Sequence, residues 1–516
     1  MNRTSLFALA LAFITGAPAA AQNAPAGDTP SKEAKAEAEK PNPDQVKAKV
    51  EEDAGSVKRS IPFHGRTLAY NVTPGHLTIR NADGEPTASM FYVAYTIPSA
   101  GRPRPVTFLF NGGPGSSTMW LHMGSFAPVK VDASSPETVA GPPFRYGPNP
   151  DTLLDITDLV FIDAPTTGLS RPLGKAEPKD FFGVDKDLDV FARTIQRYLT
   201  KYGRWNSPKF IIGESYGTTR AAGLSQKLLD QGVQLNGIAF VSTVFNFADF
   251  QGDQSFVNFF PTLAANAWYH GKIDPKPDLR QFLAEASTFA SGPYASALQK
   301  GNALGDDEKR SIAQQMSHFL GISTDYIMRS NLRVGDDRFR RELLRDRHEI
   351  IGRIDSRYVG TEADSAGAGT SYDPQASAIT GAFVGALNDY LLRDLGYKTE
   401  LYYRPNNYAA IYGGPDGWNF THKGPDGDQQ IADTSADLAN AMRQNPRMKI
   451  LSVNGYYDLA TPFHGADLEF SHLALEPQLQ ANIRYTYYEA GHMMYIDPAS
   501  ARQLKADMAA FYASAQ

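Results

Sequence analysis

The chain contains the stretch Lys209-Phe-Ile-Ile-Gly213-Glu214-Ser215-Tyr216-Gly217, an apolar run that leads into a G-x-S-x-G turn. A helical pattern over residues 218–231 follows it directly. Small residues on both sides of a serine permit a tight turn that holds the hydroxyl exposed at the end of a strand. The pattern is typical of a nucleophile elbow, which makes Ser215 the candidate nucleophile. The alternative interpretation is an ordinary strand-to-helix turn with a structural serine.

A glycine-rich loop, Asn111-Gly112-Gly113-Pro114-Gly115, follows the apolar run 106–110. Glycines let backbone N–H groups approach a substrate oxygen closely, and the residue after a nucleophilic serine supplies a second donor. The N–H groups of Gly113 and Tyr216 are therefore the predicted oxyanion hole. A phosphate-binding loop is the rival interpretation, but the Lys-Ser/Thr partner and the G-x-G-x-x-G spacing are both missing.

Two further polar residues follow apolar runs near the C-terminus. Asp458 comes after the run 449–453, and His492 comes after the run 484–488. The carboxyl ends of parallel strands are where α/β sheets place ligands. The chain order Ser, Asp, His is that of α/β-hydrolases. We therefore predict a catalytic triad of Ser215, Asp458 and His492, although a lone histidine is more often structural. No metal-binding spacing is present, and this chemistry requires no cofactor.

The pattern around these motifs predicts the fold. Mostly apolar runs of four or five residues alternate with helical stretches, which indicates a mostly parallel central sheet flanked by helices. An antiparallel start precedes it, with strands over 67–72, 76–80 and 89–96 and a hairpin turn at 81–84. The predicted buried strands are 106–110, 159–162, 209–212, 237–241, 449–453 and 484–488, and the predicted helices are 184–202, 218–231, 436–443 and 500–513.

The segment 250–376 interrupts this alternation of strands and helices. It is charged and helix-forming, with predicted helices over 306–321 and 336–351. A helix over 380–395 is expected to return toward the core. We interpret 250–376 as a mainly helical cap insertion, and residues 60–249 and 377–516 as the α/β-hydrolase core. A separate domain in tandem is the alternative, but strands on both sides of the segment are needed to complete one sheet.

Composition excludes several classes of protein. Over 516 residues, 42% are hydrophobic and 21% are charged, which is ordinary for a globular chain and excludes global disorder. A net charge of −6 does not suggest a nucleic-acid partner. The chain has no cysteine, which excludes disulfides, thiol nucleophiles and cysteine-ligated metals. Covalent chemistry must therefore use another nucleophile.

The first residues have the pattern of a targeting segment. Arg3 precedes a nine-residue apolar run, 6–14, and Ala19 and Ala21 form a small-x-small cleavage pattern before Gln22. The run is too short for a membrane anchor, the alternative interpretation. We predict a signal peptide over 1–21, with export to the periplasm or the extracellular space. Residues 22–59 are rich in Pro, Lys, Glu and Ala, and are predicted to be a disordered tether.

Together the motifs resemble the serine carboxypeptidase family, peptidase family S10. The family pattern is Asn-Gly-Gly-Pro-Gly, then Gly-Glu-Ser-Tyr, then an Asp before a Pro-containing turn, then Gly-His-Met. These motifs stand here at 111–115, 213–216, 458–462 and 491–493. The resemblance covers most of 60–515 and is weak across 250–400. It implies a peptide substrate and places the terminal carboxylate of that substrate on Asn111, Glu214 and the N–H of Gly112.

Two positions depart from the family pattern. The family places a second Glu fourteen residues after the motif Asn, where this chain has Ser125. Family members with disulfides carry a Cys where this chain has Ser116. Glu214 donates a hydrogen bond only when it is protonated, so carboxylate binding is expected to favour low pH. A buried structural acid is the alternative interpretation of Glu214.

The predicted function is a serine-type carboxypeptidase that works through an acyl-enzyme. The alternatives are another cap-bearing hydrolase (an aminopeptidase, an esterase or an acyltransferase) or an inactive peptide-binding protein.

Overall fold

The computed structural model describes residues 47–99, 101, 103–133 and 135–515. The predicted signal peptide and the predicted tether before residue 47 lie outside the described residues. The strands are β1 (Val57–Phe63), β2 (Arg66–Arg80), β3 (Pro86–Thr96), β4 (Val106–Phe110), β5 (Val129–Val131), β6 (Tyr146–Pro148), β7 (Asp158–Ile162), β8 (Arg171–Pro172), β9 (Lys209–Ser215), β10 (Gly237–Thr243), β11 (Glu349–Ile351), β12 (Val359–Thr361), β13 (His422–Gly424), β14 (Gly427–Gln429), β15 (Lys449–Gly455) and β16 (Ile483–Tyr488).

The α-helices lie between and around these strands. They are α1 (Met119–Leu121), α2 (Val184–Lys201), α3 (Tyr216–Asp230), α4 (Gly252–Tyr269), α5 (Leu279–Phe289), α6 (Ala295–Lys300), α7 (Asp306–Leu320), α8 (Thr324–Arg329), α9 (Asp336–Glu342), α10 (Pro374–Asp389), α11 (Tyr408–Tyr412), α12 (Ser435–Gln444), α13 (Phe463–Ser471), α14 (Pro477–Gln480) and α15 (Pro498–Ser514).

One ten-stranded sheet organises the core, in the order β1-β2-β3-β7-β4-β9-β10-β15-β16, with β8 paired to β3. The strands from β7 through β4 to β16 are parallel, and β1, β2 and β3 form the antiparallel part. This confirms the predicted fold class. The predicted strands 67–72 and 76–80 are one continuous strand, β2, and the turn at 81–84 joins it to β3.

Helices cover both faces of the sheet. Phe108 and Phe110 of β4 contact Tyr198 and Phe191 of α2. Successive side chains of a strand point to opposite faces, and Thr107 accordingly hydrogen-bonds Tyr512 of α15 at 2.6 Å. Both faces of the parallel strands are therefore buried, which explains their continuous apolar sequences.

The segment between β10 and β15 builds a second apolar cluster from α4 to α9 and β11. Tyr457, Leu459 and Phe463 of the core also belong to this cluster. α10 packs instead on the main core through Ile379 and Phe383. The second cluster therefore sits directly over the loop that carries Asp458.

Two predicted boundaries differ from the structure. The helix predicted over 336–351 ends at Glu342, because residues 349–351 pair with β12 and bury Ile350 and Ile351. The end of the predicted tether, 22–59, is structured, since β1 begins at Val57. The carboxylate of Glu52 pairs with Arg197 at 2.8 Å, a long-range contact that composition does not reveal.

Among the described residues, no helix has both the length and the hydropathy that crossing a bilayer requires.

Candidate active site

Ser215 lies at the junction of β9 and α3, with a φ of 61° and a ψ of −131°. That left-handed backbone is rare for a residue with a side chain and is typical of a nucleophile elbow. The turn is so tight that a Cβ on Gly213 would collide with the carbonyl oxygen of Gly217. The G-x-S-x-G pattern is thus a steric requirement here, and it leaves Ser215 7% exposed.

Asp458 and His492 are in direct contact. Nδ1 of His492 lies 2.7 Å from Oδ2 of Asp458, and both residues are buried. The other carboxylate oxygen accepts the N–H groups of Ala460 at 2.7 Å and Thr461 at 3.0 Å. The Thr461 hydroxyl donates to Oδ2 at 2.7 Å. Four donors therefore surround the Asp458 carboxylate and orient it toward the imidazole.

The pKa of His492 reflects this pairing. Burial alone lowers the pKa of a histidine, but the Asp458 carboxylate stabilises the imidazolium, and the net shift of the His492 pKa is upward. An imidazole in this setting accepts a proton from a nearby hydroxyl more readily than one that is buried without a carboxylate.

Backbone contacts bring His492 to the end of the strand next to Ser215. The Ser242 hydroxyl donates to the carbonyl oxygen of His492 at 2.7 Å, and Thr243 is the residue of β10 that pairs with Ser215. No hydrogen bond joins the side chains of Ser215 and His492 in this structure. Such bonds are often long in unliganded sites and tighten when substrate binds.

The glycine-rich loop and the elbow, which carry the predicted oxyanion donors, lie close together. Gly113 has a φ of 102°, and within the described residues its N–H donates no hydrogen bond. The neighbouring Gly112 is so close to α3 that a Cβ there would lie 2.5 Å from the N of Tyr216. The glycine-rich loop and the start of α3 thus meet beside Ser215.

Glu214 is buried next to the nucleophile. Burial raises the pKa of its carboxyl to about 7. The hydroxyl of Tyr495 donates to Oε2 at 2.6 Å, and Asn111 also hydrogen-bonds this carboxyl and lowers its pKa. The hydroxyl of Ser125, at the position of the family's second Glu, donates to the carbonyl oxygen of Leu121 at 2.5 Å. The Tyr495 hydroxyl is therefore a direct hydrogen-bond partner of Glu214.

The sequence analysis missed Tyr495, which lies three residues after His492 and outside the motif at 491–493. It also missed residues 353–357, the strap, which follow β11. The carbonyl oxygen of Arg353 accepts the N–H of Leu459 at 3.0 Å, and that of Ile354 accepts the N–H of His492 at 2.7 Å. The strap therefore holds the Asp458 and His492 loops together.

An ion pair within the strap also contacts the loop that carries His492. The carboxylate of Asp355 pairs with Arg357 at 2.7 Å and accepts the N–H of Gly491 at 3.2 Å. Arg357 donates to the carbonyl oxygen of Glu489 at 2.8 Å. No sequence signal marks these residues, because Gly491 and Glu489, which they contact, lie more than 130 positions away.

α11 covers the glycine-rich loop from another side. The N–H of Asn407 donates to the carbonyl oxygen of Gly115 at 2.7 Å. Tyr408 and Tyr412 of this helix are 45% and 55% exposed, and their rings stack at 6.1 Å. Two aromatic side chains thus stand at the rim of the site.

Within the described part of the chain, no group of three or more His, Asp or Glu residues is arranged to hold a metal ion. What the site offers is a strained serine, a carboxylate-oriented histidine, free backbone donors and a buried acid.

The serine carboxypeptidase family model matches residues 64–307, which include the glycine-rich loop and the elbow. No curated protein matches the sequence of the chain. A structure of Kex1(delta)p, a prohormone-processing carboxypeptidase from Saccharomyces cerevisiae, aligns with a TM-score of 0.52 and 14% identity, over 86% of this chain and 91% of that one.

More distant structures include a proline iminopeptidase from Mycobacterium smegmatis, with a TM-score of 0.35 and 13% identity over 85% of this chain and 98% of that one. At 14% identity the Kex1(delta)p structure supports the fold alone, and the family model supports the likeness to serine carboxypeptidases. Over residues 64–307 the chain is similar to the serine carboxypeptidase family of hydrolases, and it has the α/β-hydrolase fold.

Proposed function

We propose that the protein is a serine-type carboxypeptidase that releases the C-terminal residue of a peptide through Ser215, His492 and Asp458. The observation that carries the proposal is the buried 2.7 Å pair of His492 and Asp458, held beside the elbow serine. The family match ends before both residues, so this geometry supports the proposal independently of it.

In the proposed mechanism, His492 accepts the proton of the Ser215 hydroxyl as Oγ attacks the scissile carbonyl carbon. The N–H groups of Gly113 and Tyr216 stabilise the oxyanion, each by about 3 kcal/mol. The imidazolium then gives its proton to the leaving amine, and the acyl-enzyme forms. Water, deprotonated by His492, attacks the ester and releases the shortened peptide.

Recognition of the chain end is assigned to Asn111, to the N–H of Gly112 and to Glu214. With a pKa raised to about 7 by burial, Glu214 is largely neutral below pH 7. A neutral carboxyl donates a hydrogen bond to the carboxylate of the substrate, whereas a charged one repels it.

The experiment compares three blocked peptides that are free, amidated or esterified at the C-terminus, at pH 5 and pH 8. The proposal expects release of the last residue from the free acid, with kcat/KM at least tenfold above that of the amide. Ser215→Ala is expected to lose turnover and fluorophosphonate labelling while its melting temperature is retained. Turnover retained by Ser215→Ala on any of these substrates rejects the mechanism.

A cap-bearing esterase or aminopeptidase is the second candidate. It is favoured by Ser125, which leaves Glu214 without a second carboxyl as partner. Equal cleavage of free-acid and amidated peptides, or cleavage only of peptides with a free N-terminus, would select this candidate over the first.

We also propose that residues 1–21 direct export. N-terminal sequencing of the mature protein tests this, with Gln22 as the expected first residue. A mature protein that begins at Met1 contradicts the proposal.

A further inference from the structure

Arg353 occupies a fixed position between the two loops that carry the acid and the histidine. Its carbonyl oxygen accepts the N–H of Leu459, and the next residue of the strap accepts the N–H of His492. Its own N–H donates to the carboxylate of Asp373. The backbone of Arg353 is therefore held on three sides, and its side chain starts from the edge of the active site.

The guanidinium of Arg353 is enclosed but hardly paired. Its side chain is 15% exposed, and its only ion pair among the described residues joins Nε to Asp336 at 3.8 Å. That distance is too long for a hydrogen bond. Three other cap arginines, Arg333, Arg345 and Arg357, each donate to a carboxylate at 2.6–2.7 Å. Arg341 also has only a long ion pair, at 3.7 Å to Glu362, but its side chain is 1% exposed, so a substrate cannot reach it.

The charge of Arg353 acts on His492 and on Tyr412 of α11. Burial lowers the pKa of His492 and Asp458 raises it, and Arg353 makes a smaller lowering contribution. Burial raises the pKa of Tyr412, which Arg353 opposes. The guanidinium therefore lies within electrostatic reach of the imidazole and of the aromatic rim of α11.

We propose that Arg353 binds a carboxylate of the peptide substrate at the rim of the active site. The inference rests on the proposed peptidase function and deepens it by naming the substrate class. A guanidinium presents several N–H donors in a fork that matches a carboxylate, and it stays charged at every physiological pH. Arg353 thus differs from Glu214, which donates only when neutral.

The carboxylate has two possible sources, the C-terminus of the peptide or an acidic side chain beside the scissile bond. Three probes separate them in the Ser215→Ala background, where peptides bind without turnover. N-acetyl-Phe-Ala carries only a terminal carboxylate, N-acetyl-Phe-Glu-amide only a side-chain carboxylate, and N-acetyl-Phe-Gln-amide neither. Dissociation constants are measured by calorimetry at pH 8, where Glu214 is largely charged.

Arg353→Met is expected to raise Kd at least tenfold for a peptide with a carboxylate and less than twofold for the neutral peptide. Arg353→Lys keeps the charge but not the planar set of N–H donors, and it is expected to raise Kd less than Arg353→Met does. Arg338→Met removes the same charge from an exposed position of α9 and is expected to change no Kd. Melting temperatures of all variants identify any that fail to fold.

A loss confined to N-acetyl-Phe-Ala assigns Arg353 to the chain end, and a loss confined to the Glu peptide assigns it to an acidic side chain. Equal losses for all three peptides, no loss for any, or no measurable binding before substitution each overturn the proposal. These measurements need no catalysis, so their failure is distinguishable from a failure of the wild-type protein to hydrolyse peptides.

Discussion

Glu214 shows how one buried position changes the chemistry of a side chain. On the surface this carboxyl would be charged at neutral pH, but burial next to Ser215 raises its pKa to about 7. Its hydrogen-bond partner is the hydroxyl of Tyr495. The protonation state of the site therefore changes within the physiological range, in a direction that can be predicted.

We expect KM for a free-acid peptide to rise about tenfold between pH 5.5 and pH 8.5, because Glu214 loses its proton as the pH passes 7. Glu214→Gln keeps a neutral donor at all pH values and should flatten this profile. Steady-state kinetics on free-acid and amidated peptides check it, with the amide as control. A steep profile retained by Glu214→Gln would contradict the role given to Glu214.

The Tyr495 hydroxyl stabilises the charged form of Glu214 and so lowers its pKa. Tyr495→Phe removes that donor, and the rise in KM should therefore move to higher pH. The same kinetic series measures the midpoint. A midpoint that stays in place or moves to lower pH would show that Tyr495 does not act through Glu214.

At the scale of elements, the strap links the cap to the two catalytic loops. A displacement of about 1 Å at a reacting group can cost about a hundredfold in rate. The Asp355–Arg357 pair is therefore assigned a positioning role, through its contacts with Gly491 and Glu489.

Asp355→Ala should lower kcat 10- to 100-fold with little change in KM. It should destabilise the fold by about 3 kcal/mol, because it leaves the buried Arg357 with only the distant carboxylate of Asp497, at 3.6 Å. The double variant Asp355→Ala/Arg357→Met removes both charges and should recover stability but not kcat. Kinetics and denaturant unfolding check this, with the exposed Asp364→Ala as control. Joint recovery of kcat and stability would mean that the pair is only structural.

Across the whole molecule, His422 joins segments that are distant in the chain. Its Nδ1 lies 2.6 Å from Asp185 of α2, and its Nε2 lies 3.0 Å from Asp437 of α12. Burial opposes the charged form, but the two carboxylates prevail and raise the pKa of His422 to about 9. The stability that this histidine contributes is complete below its unfolded pKa, about 6.5, and is lost as the pH rises through 9.

His422→Gln should therefore destabilise the protein at pH 6 by about 1–2 kcal/mol, a value reduced for solvent screening around the half-exposed Asp185. The difference from the wild type should shrink by pH 10. Unfolding measured from pH 6 to pH 10 checks this, with the exposed His472→Gln as control. A destabilisation that is the same at every pH would rule out a charged His422.

The order of strands and helices was predictable from the sequence because burial on both faces imposes continuous apolar runs, as in β4 and β9. The elbow was predictable for a similar reason, since the backbone near Ser215 excludes a side chain at position 213. These are local constraints, and each one determines the identity of a few consecutive residues. The helix predicted over 336–351 was wrong beyond Glu342. Residues 349–351 pair with β12 instead, and this tertiary contact outweighed their local helix propensity.

The amino-acid pattern by itself determined the sheet, the serine turn and the chain order of Ser215, Asp458 and His492. Tertiary structure alone decided that Tyr495 meets Glu214, that the strap ties the two catalytic loops together and that Arg353 is left almost unpaired. The physical reason is distance along the chain. These contacts join residues up to 281 positions apart, and their hydrogen bonds and charges exist only once the core and the cap have packed.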